Sequence, residues 1–237
     1  MALPFFYIND YNSEKQLVLN EDTSKHIVQV LRMKEGEQIN LTDGKGNLLL
    51  CEITEAHKKH CSIKITQTKN HKQKTKNRIV AISLLKNANR LEWFLEKATE
   101  LGITEIIPLL CSRTEKQNFR TDRMQNILVS AMLQSQQVWL PVLHEPISFE
   151  LLLRQEEIIA IQQKWIAHCI NNEEKKLLPG LINKEQSQII LIGPEGDFTS
   201  DEIEFALQNN FQPVSLGETR LRTETAAVAA AVLLQIN

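Results

Sequence analysis

Two stretches of this chain leave little choice of fold. Arg78–Lys86, RIVAISLLK, and 188–193, QIILIG, are near-continuous apolar runs. A strand that faces water on one side alternates apolar with polar residues. Runs like these need both faces covered, which is the condition of a parallel sheet with helices packed on either side. The chain between and after them supplies the helices. Leu91, Phe94, Leu95, Ala98 and Leu101 recur at i, i+3, i+4, i+7 and i+10, one face of a helix, and Gly102 stands where a C′ glycine ends one. ITEIIPLL (103–110) reads as the next strand. A helix is expected over 121–138, with Ile127, Ala131, Leu133 and Val138 inward, and another over 149–156. IIAIQQ (158–163) is read as a strand, as is PVSLG (213–217). Thr199 and Glu202 have the spacing of a capping box for a helix over 201–209, and a last, almost wholly apolar helix is expected from Ala226 to Ile236. Strand–helix alternation from residue 79 onward predicts an α/β domain with a mostly parallel sheet.

The first 70 residues follow another rule. QLVLN (16–20), QINLTD (38–43), NLLLCEIT (47–54) and CSIKITQT (61–68) are short β-prone runs, with turn residues Asp43-Gly44 and Gly46-Asn47 between two of them. Thr23 to Met33 reads as one helical interruption. Short strands at this spacing suggest a small β-barrel over residues 1–70. Residues 69–78, KNHKQKTKNR, hold five Lys or Arg and one His and no acid, so 71–78 is read as a basic linker and 79–237 as the second domain. At 237 residues the length suits two such domains. Hydrophobic residues at 42% and charged residues at 24% exclude a disordered or fibrous chain.

The net charge of -2 argues weakly against nucleic acid as a partner, but a sum hides its distribution. Cations gather in 69–78 and recur as His26, Arg32, Lys86, Arg90, Lys97, Arg113, Lys116, Arg120 and Arg123, and together these can follow a phosphate backbone. Cys51, Cys61, Cys111 and Cys169 form no CxxC pair, so neither zinc nor a disulfide framework is expected, and buried or half-buried reduced thiols are the plain reading. The opening MALPFFYINDYNSEK lacks the pattern of a signal peptide, and no run is long enough for a membrane helix, so a cytoplasmic protein is expected.

Two loops carry the signs of chemistry. Ile192-Gly193-Pro194-Glu195-Gly196-Asp197-Phe198 follows a buried strand and precedes a capped helix. In open α/β sheets ligands bind beyond the carboxyl ends of strands. An ordinary turn is the plain alternative. The loop is neither a dinucleotide fingerprint nor a phosphate-binding P-loop. The second loop, Leu216 to Ala226, LGETRLRTETA, has three Thr, two Arg and two Glu leading into an apolar helix. Packed polar groups must be paired or bound to something. Two such loops ending two strands say more than either alone. No nucleophilic triad and no acid–base carboxylate pair can be chosen from the sequence.

These residues resemble a known family. HIVQVLRMKEGEQINLTDGKGN in the first domain, LLKNANRLEWFLEKATELGITEIIPLLCSRTE in the middle, and LIGPEGDFTSDEI with LGETRLRTETAAVAA at the end are similar to the RsmE family, bacterial 16S rRNA uridine-N3 methyltransferases of the SPOUT superfamily. The resemblance covers nearly the whole chain. It implies a PUA-like β-barrel followed by a SPOUT α/β domain with a trefoil knot, S-adenosylmethionine as methyl donor, 16S rRNA or the small ribosomal subunit as substrate, and a homodimer.

By motif match the cofactor site comprises Leu191, Gly193, Pro194, Glu195, Gly196, Leu216, Gly217, Leu221, Arg222, Thr223, Thr225 and Ala226. Arg222 is the candidate for stabilising charge on a uracil oxygen, since its guanidinium is always charged. Glu195 or Glu224 is the candidate base. RNA contacts are assigned to His26, Arg32, Lys86, Arg90, Lys97, Arg113 and Gln134. The chain departs from the family pattern where Asp197 replaces a usual glycine, and where Leu133 and Gln137 replace a Glu and an Arg around the retained Gln134. A SPOUT enzyme acting on another RNA position, and a non-catalytic RNA-binding assembly factor, are the competing functions.

Overall fold

The computed structural model describes residues 3–73, 76–115, 119–170 and 175–236. Lys116, and Lys74 and Thr75 of the expected basic linker, lie outside them. The chain divides into two compact units, one of residues 1–73 with 132–140, the other of 74–131 with 141–237.

The first unit is a five-stranded sheet made of β1 (Phe5–Tyr7), β2 (Gln16–Val18), β3 (Gln38–Thr42), β4 (Asn47–Glu55) and β5 (Ser62–Asn70), in the order β1-β3-β4-β5-β2. β1 runs parallel to β3 and the other pairs are antiparallel. The expected helix 23–33 is shorter and in two parts. Helix α1 (Glu21–Lys25) starts at Asn20, whose side chain accepts the Thr23 amide at 2.8 Å, and a π-helical turn follows over His26–Val30. The inward faces of β3, β4 and β5 bury Ile39, Leu41, Leu49, Cys51, Ile53 and Ile63, with Ile27 from the turn and Cys61.

The β3–β4 turn is fixed by Asp43. Its carboxylate accepts the Lys45 amide at 2.8 Å and the Asn47 side-chain amide at 2.6 Å. Gly46 has φ +97, and a Cβ there would sit 2.6 Å from both the His71 carbonyl and the Trp139 ring. Only glycine fits that backbone in that space. Residues 132–140 close this corner. The Gly46 amide donates to the Val138 carbonyl, the Leu140 amide to Gly44, and Trp139 Nε1 to His71. The expected helix 121–138 therefore stops early. Helix α3 runs Thr121–Gln134, Gln136 takes φ +54, and the rest joins the first unit. The inward side chains of α3 are Met124, Leu128, Ala131 and Met132, while Ile127, Leu133 and Val138 are half-buried.

The second unit is an eight-stranded sheet in which every pair is parallel. Its strands are β6 (Arg78–Ser83), β7 (Glu105–Leu110), β8 (Val142–Leu143), β9 (Ile147–Ser148), β10 (Gln163–Ala167), β11 (Lys176–Leu177), β12 (Gln188–Ile192) and β13 (Gln212–Ser215). The order is β11-β13-β10-β12-β6-β7-β8, with β9 also on β7. The helices are α2 (Ala88–Glu100), the short α4 (Phe149–Leu153) and α5 (Glu156–Ile159), α6 (Ser200–Gln208) and α7 (Thr223–Ile236). All six residues of β6 and all five of β12 are buried, as their composition required.

Two expectations change here. The segment IIAIQQ is not a strand: α5 ends at Ile159, and the strand is Gln163–Ala167. Lys164 lies inside it, buried, its ammonium over the Phe211 ring and donating to the Ile159 carbonyl, and burial lowers its pKa. Arg78, counted in the basic linker, is also buried. Its guanidinium donates to the carbonyls of Leu234, Gln186 and Lys184, and burial lowers its pKa. A fixed fork of donors meets carbonyl oxygens here instead of water.

Candidate functional site

Strands β13, β10 and β12 are neighbours, so the loops leaving their carboxyl ends meet. They enclose a cleft of about 340 Å³ lined by Ala167 and Cys169 after β10, Ile192, Gly193, Pro194, Glu195 and Asp197 after β12, and Arg220, Leu221, Arg222, Thr223 and Ala226 after β13. The two loops singled out in the sequence form one site.

Of the expected cofactor residues, Gly193, Pro194, Glu195, Leu221, Arg222, Thr223 and Ala226 line the cleft. Leu191 does not. Alternation along β12 turns its side chain into the core, and the next residue, Ile192, reaches the cleft instead. Gly196, Leu216, Gly217 and Thr225 flank it without lining it. Helix α7 starts at Thr223, three residues before its expected start, with the Ala226 amide donating to the Arg222 carbonyl at 2.8 Å. Thr225 points to solvent as a result. Ile192, Asp197 and Arg220, from the two loops singled out, line the cleft although they were not assigned to the cofactor. Ala167 and Cys169 line it and were not singled out; the first ends β10 and the second follows it, a strand the sequence concealed. Cys169 is exposed, against the expectation of buried or half-buried thiols.

The loop after β12 is held from three sides. A Cβ on Gly193 would stand 3.1 Å from the Phe198 ring, so the turn packs tightly on its own aromatic. Arg113, expected on RNA, donates through Nη1 to the carbonyls of Gly196 (2.6 Å) and Phe198 (3.4 Å). Glu202 receives the Thr199 amide on Oε2 and the Ser112 amide on Oε1, each within 2.8 Å, so the capping box of α6 also ties the segment after β7. Asp197 has φ +65. That is the conformation for which the family's usual glycine is suited, and aspartate is among the few other residues that tolerate it. Its Oδ1 accepts the Phe198 amide and its Oδ2 accepts the Cys169 amide, each at 2.8 Å. The departure from glycine thus adds a link between the β12 and β10 loops. Beside it, His168 is buried with neither ring nitrogen partnered among the described residues, and burial, with Lys175 nearby, lowers its pKa.

The two candidate bases separate. Glu195 is exposed on the cleft wall. Glu224 is buried and does not line the cleft; Arg90 Nε lies 3.6 Å from its Oε1, and its Oε2 has no partner among the described residues. The expected RNA cations also divide. His26 and Arg32 are exposed in the first unit, Arg32 at φ +56, and Gln134 is exposed at the end of α3. In the second unit Lys86 pairs with Glu115 at 3.1 Å, and Lys97 is bound between Glu96 and Glu100, which raise its pKa. Arg123 pairs with Glu92, which raises its pKa likewise. Arg120 is exposed. Among the described residues no helix is long and apolar enough to cross a membrane, and no three His, Cys, Asp or Glu side chains group as a metal site.

A parallel α/β sheet with a cleft at its carboxyl edge, joined to a small β domain, matches known proteins along its length. A family model described as an RNA methyltransferase domain matches residues 71–235, and one described as an RNA methyltransferase PUA domain matches residues 19–66. The chain belongs to this family of RNA methyltransferases. Within it, the chain is similar to ribosomal RNA small subunit methyltransferase E of Rickettsia conorii, 29% identical, covering 94% of this chain and 91% of that protein. A crystal structure of a probable rRNA methyltransferase from Porphyromonas gingivalis is 34% identical with a TM-score of 0.90, covering 99% of both chains. The corresponding methyltransferase E of Neisseria gonorrhoeae, solved bound to S-adenosylmethionine, is 29% identical with a TM-score of 0.86, covering 99% of this chain and 98% of that one.

Proposed function

We propose that the protein transfers a methyl group from S-adenosylmethionine to N3 of a uridine in 16S rRNA of the small ribosomal subunit. The observation that carries this reading is the convergence of the two motif loops on one cleft, in a chain that matches a relative solved with that donor along 99% of its length. The cleft suits the donor. Its volume falls in the ~300–1,000 Å³ range of small-ligand pockets. Ala167, Ile192, Leu221 and Ala226 give it apolar walls, and the backbone of Gly193 and Pro194, which line it, is available to read an adenine edge. Bound there, S-adenosylmethionine supplies an electrophilic methyl group.

The protein's own residues must prepare the acceptor. Uracil N3 carries a proton and lies on the pairing edge, so the base has to be unpaired or flipped out and the proton removed. Glu195, exposed at the cleft, is the carboxylate placed to accept it. Arg222, also at the cleft, is placed to stabilise negative charge on the uracil oxygens. Arg32, Lys86 and Arg90 belong to the RNA contacts, along with His26 and Gln134. Lys97 and Arg113 act in this proposal through the carboxylates and carbonyls they hold. The trefoil knot, the homodimer and the cytoplasmic location are part of the same reading. The sheet order, with β12 entering between β6 and β10, supports the first. The half-buried apolar residues Val228 and Leu233 on α7 and the exposed Trp93 on α2 support the second.

Incubation with labelled S-adenosylmethionine and small subunits from a strain lacking this modification, followed by mapping of the methylated base, tests the proposal. One N3-methyluridine in 16S rRNA is expected. R222A should lower the methylation rate at saturating RNA by about 10²-fold or more. An R222A protein as fast as the wild type, or a label at any other position, overturns the assignment.

A further inference from the structure

The pair Arg90–Glu224 is unexplained by the cleft. Helix α2 follows β6 and packs against α7, so the first turns of both helices lie at the carboxyl edge of the sheet, where the cleft opens. Thr223 and Ala226 on α7 line the cleft, yet Glu224 between them does not. Its side chain is buried towards α2, with 10% of its surface exposed, and one carboxylate oxygen meets Arg90 Nε at 3.6 Å. Burying a carboxylate is costly, and here only one cation offsets it while the second oxygen stays without a partner among the described residues. Arg90 is 36% exposed and turns its Nε towards Glu224 as an ion pair, and among the described residues its terminal nitrogens have no partner, so their donors are available to something outside.

We infer that Glu224 is a positioning residue: it fixes the guanidinium of Arg90 at the carboxyl edge of the sheet, where the terminal nitrogens bind a phosphate oxygen of the RNA beside the target nucleotide. The inference rests on the RNA methyltransferase reading and specifies how that site holds its substrate. A planar guanidinium held by one edge presents a fixed pair of donors, the geometry suited to a phosphate. It also takes Glu224 out of the proton transfer, which leaves Glu195 as the carboxylate that faces the acceptor.

Steady-state methylation and RNA binding by R90A, E224A, E224Q and R90A/E224A test this, with thermal melting to check folding. R90A and E224A should each raise the KM for RNA by a similar factor, about five- to tenfold, and the double variant should be no worse than either. The salt dependence of RNA binding should lose about one counterion in R90A and E224A alike. Affinity for S-adenosylmethionine should not move. E224Q keeps an acceptor oxygen for Arg90 and should restore most of the RNA affinity that E224A loses, a rescue that a proton-transferring carboxylate would not show. Should E224A fail to fold, R90A and E224Q still decide the matter. If E224Q loses turnover at saturating RNA, Glu224 moves a proton and the inference fails. If R90A binds RNA with wild-type affinity and salt slope, it fails as well. A wild-type protein that methylates no rRNA overturns the underlying reading instead.

Discussion

Asp197 shows how one residue can carry both backbone and side-chain roles. Its left-handed backbone makes the turn, and its carboxylate binds the amide of Cys169 across the cleft. The sequence marked position 197 only as a departure from glycine; a separation of 28 positions hid the bond that makes the departure workable. Cys169 itself gives a direct readout of the cleft. Burial pushes the thiols of Cys51 and Cys111 up to about 12 and raises that of Cys61, so at pH 8 roughly one in 10⁴ of the first two is the reactive thiolate. Cys169 is exposed and lines the cleft. Iodoacetamide at pH 8 is expected to label Cys169 alone in the folded protein, and saturating S-adenosylmethionine to slow that labelling at least severalfold. Peptide mapping by mass spectrometry checks both, and labelling indifferent to the donor would place the donor elsewhere.

The individual elements differ in how much they owe to their neighbours. Helix α6 was legible from its own letters, since Thr199 and Glu202 sit three residues apart and form the expected box. The second bond of Glu202, to the Ser112 amide 90 residues away, was not. T199A is expected to cost about 1 kcal/mol, the worth of a helix cap. E202A should cost more, about 2–3 kcal/mol, because it leaves part-buried amides on two segments without acceptors. Urea denaturation measures both, and equal losses would mean that the Ser112 link contributes nothing. Strand β10 was illegible for the opposite reason. Lys164 and Gln163 break its apolar run, and its strand character comes from being flanked by β12 and β13, with the ammonium escaping to a carbonyl at the end of α5.

At the scale of the molecule, both domains could be seen in the sequence, because period-two β runs give way to buried runs alternating with helices near residue 78. What periodicity could not show is that the first unit is built from two pieces of chain. Residues 132–140 carry no pattern of their own, and their place depends on Gly46 leaving room for Trp139 and on the carbonyls of Gly44 and His71. A fragment of residues 1–73 should therefore melt well below the same unit in the full chain, by about 5 °C or more if even 1 kcal/mol of those contacts is lost. Circular dichroism of the fragment, with and without a peptide of residues 132–140, measures this, and an unchanged melting temperature would show the segment to be dispensable.

The place of β12 sets the order in which the protein can come into being. β6 is made early and acquires β7 at once, but its other edge stays open until residues 188–192 leave the ribosome. An unpaired apolar strand edge is a template for wrong partners. The nascent chain must guard it across more than a hundred residues of synthesis, which is work suited to a chaperone. The walls of the cleft span Ala167 to Ala226 and are completed last. A ribosome making this protein therefore holds a chain without a complete cleft until Ala226 has been made, and the walls that would hold the methyl donor come together in one late step.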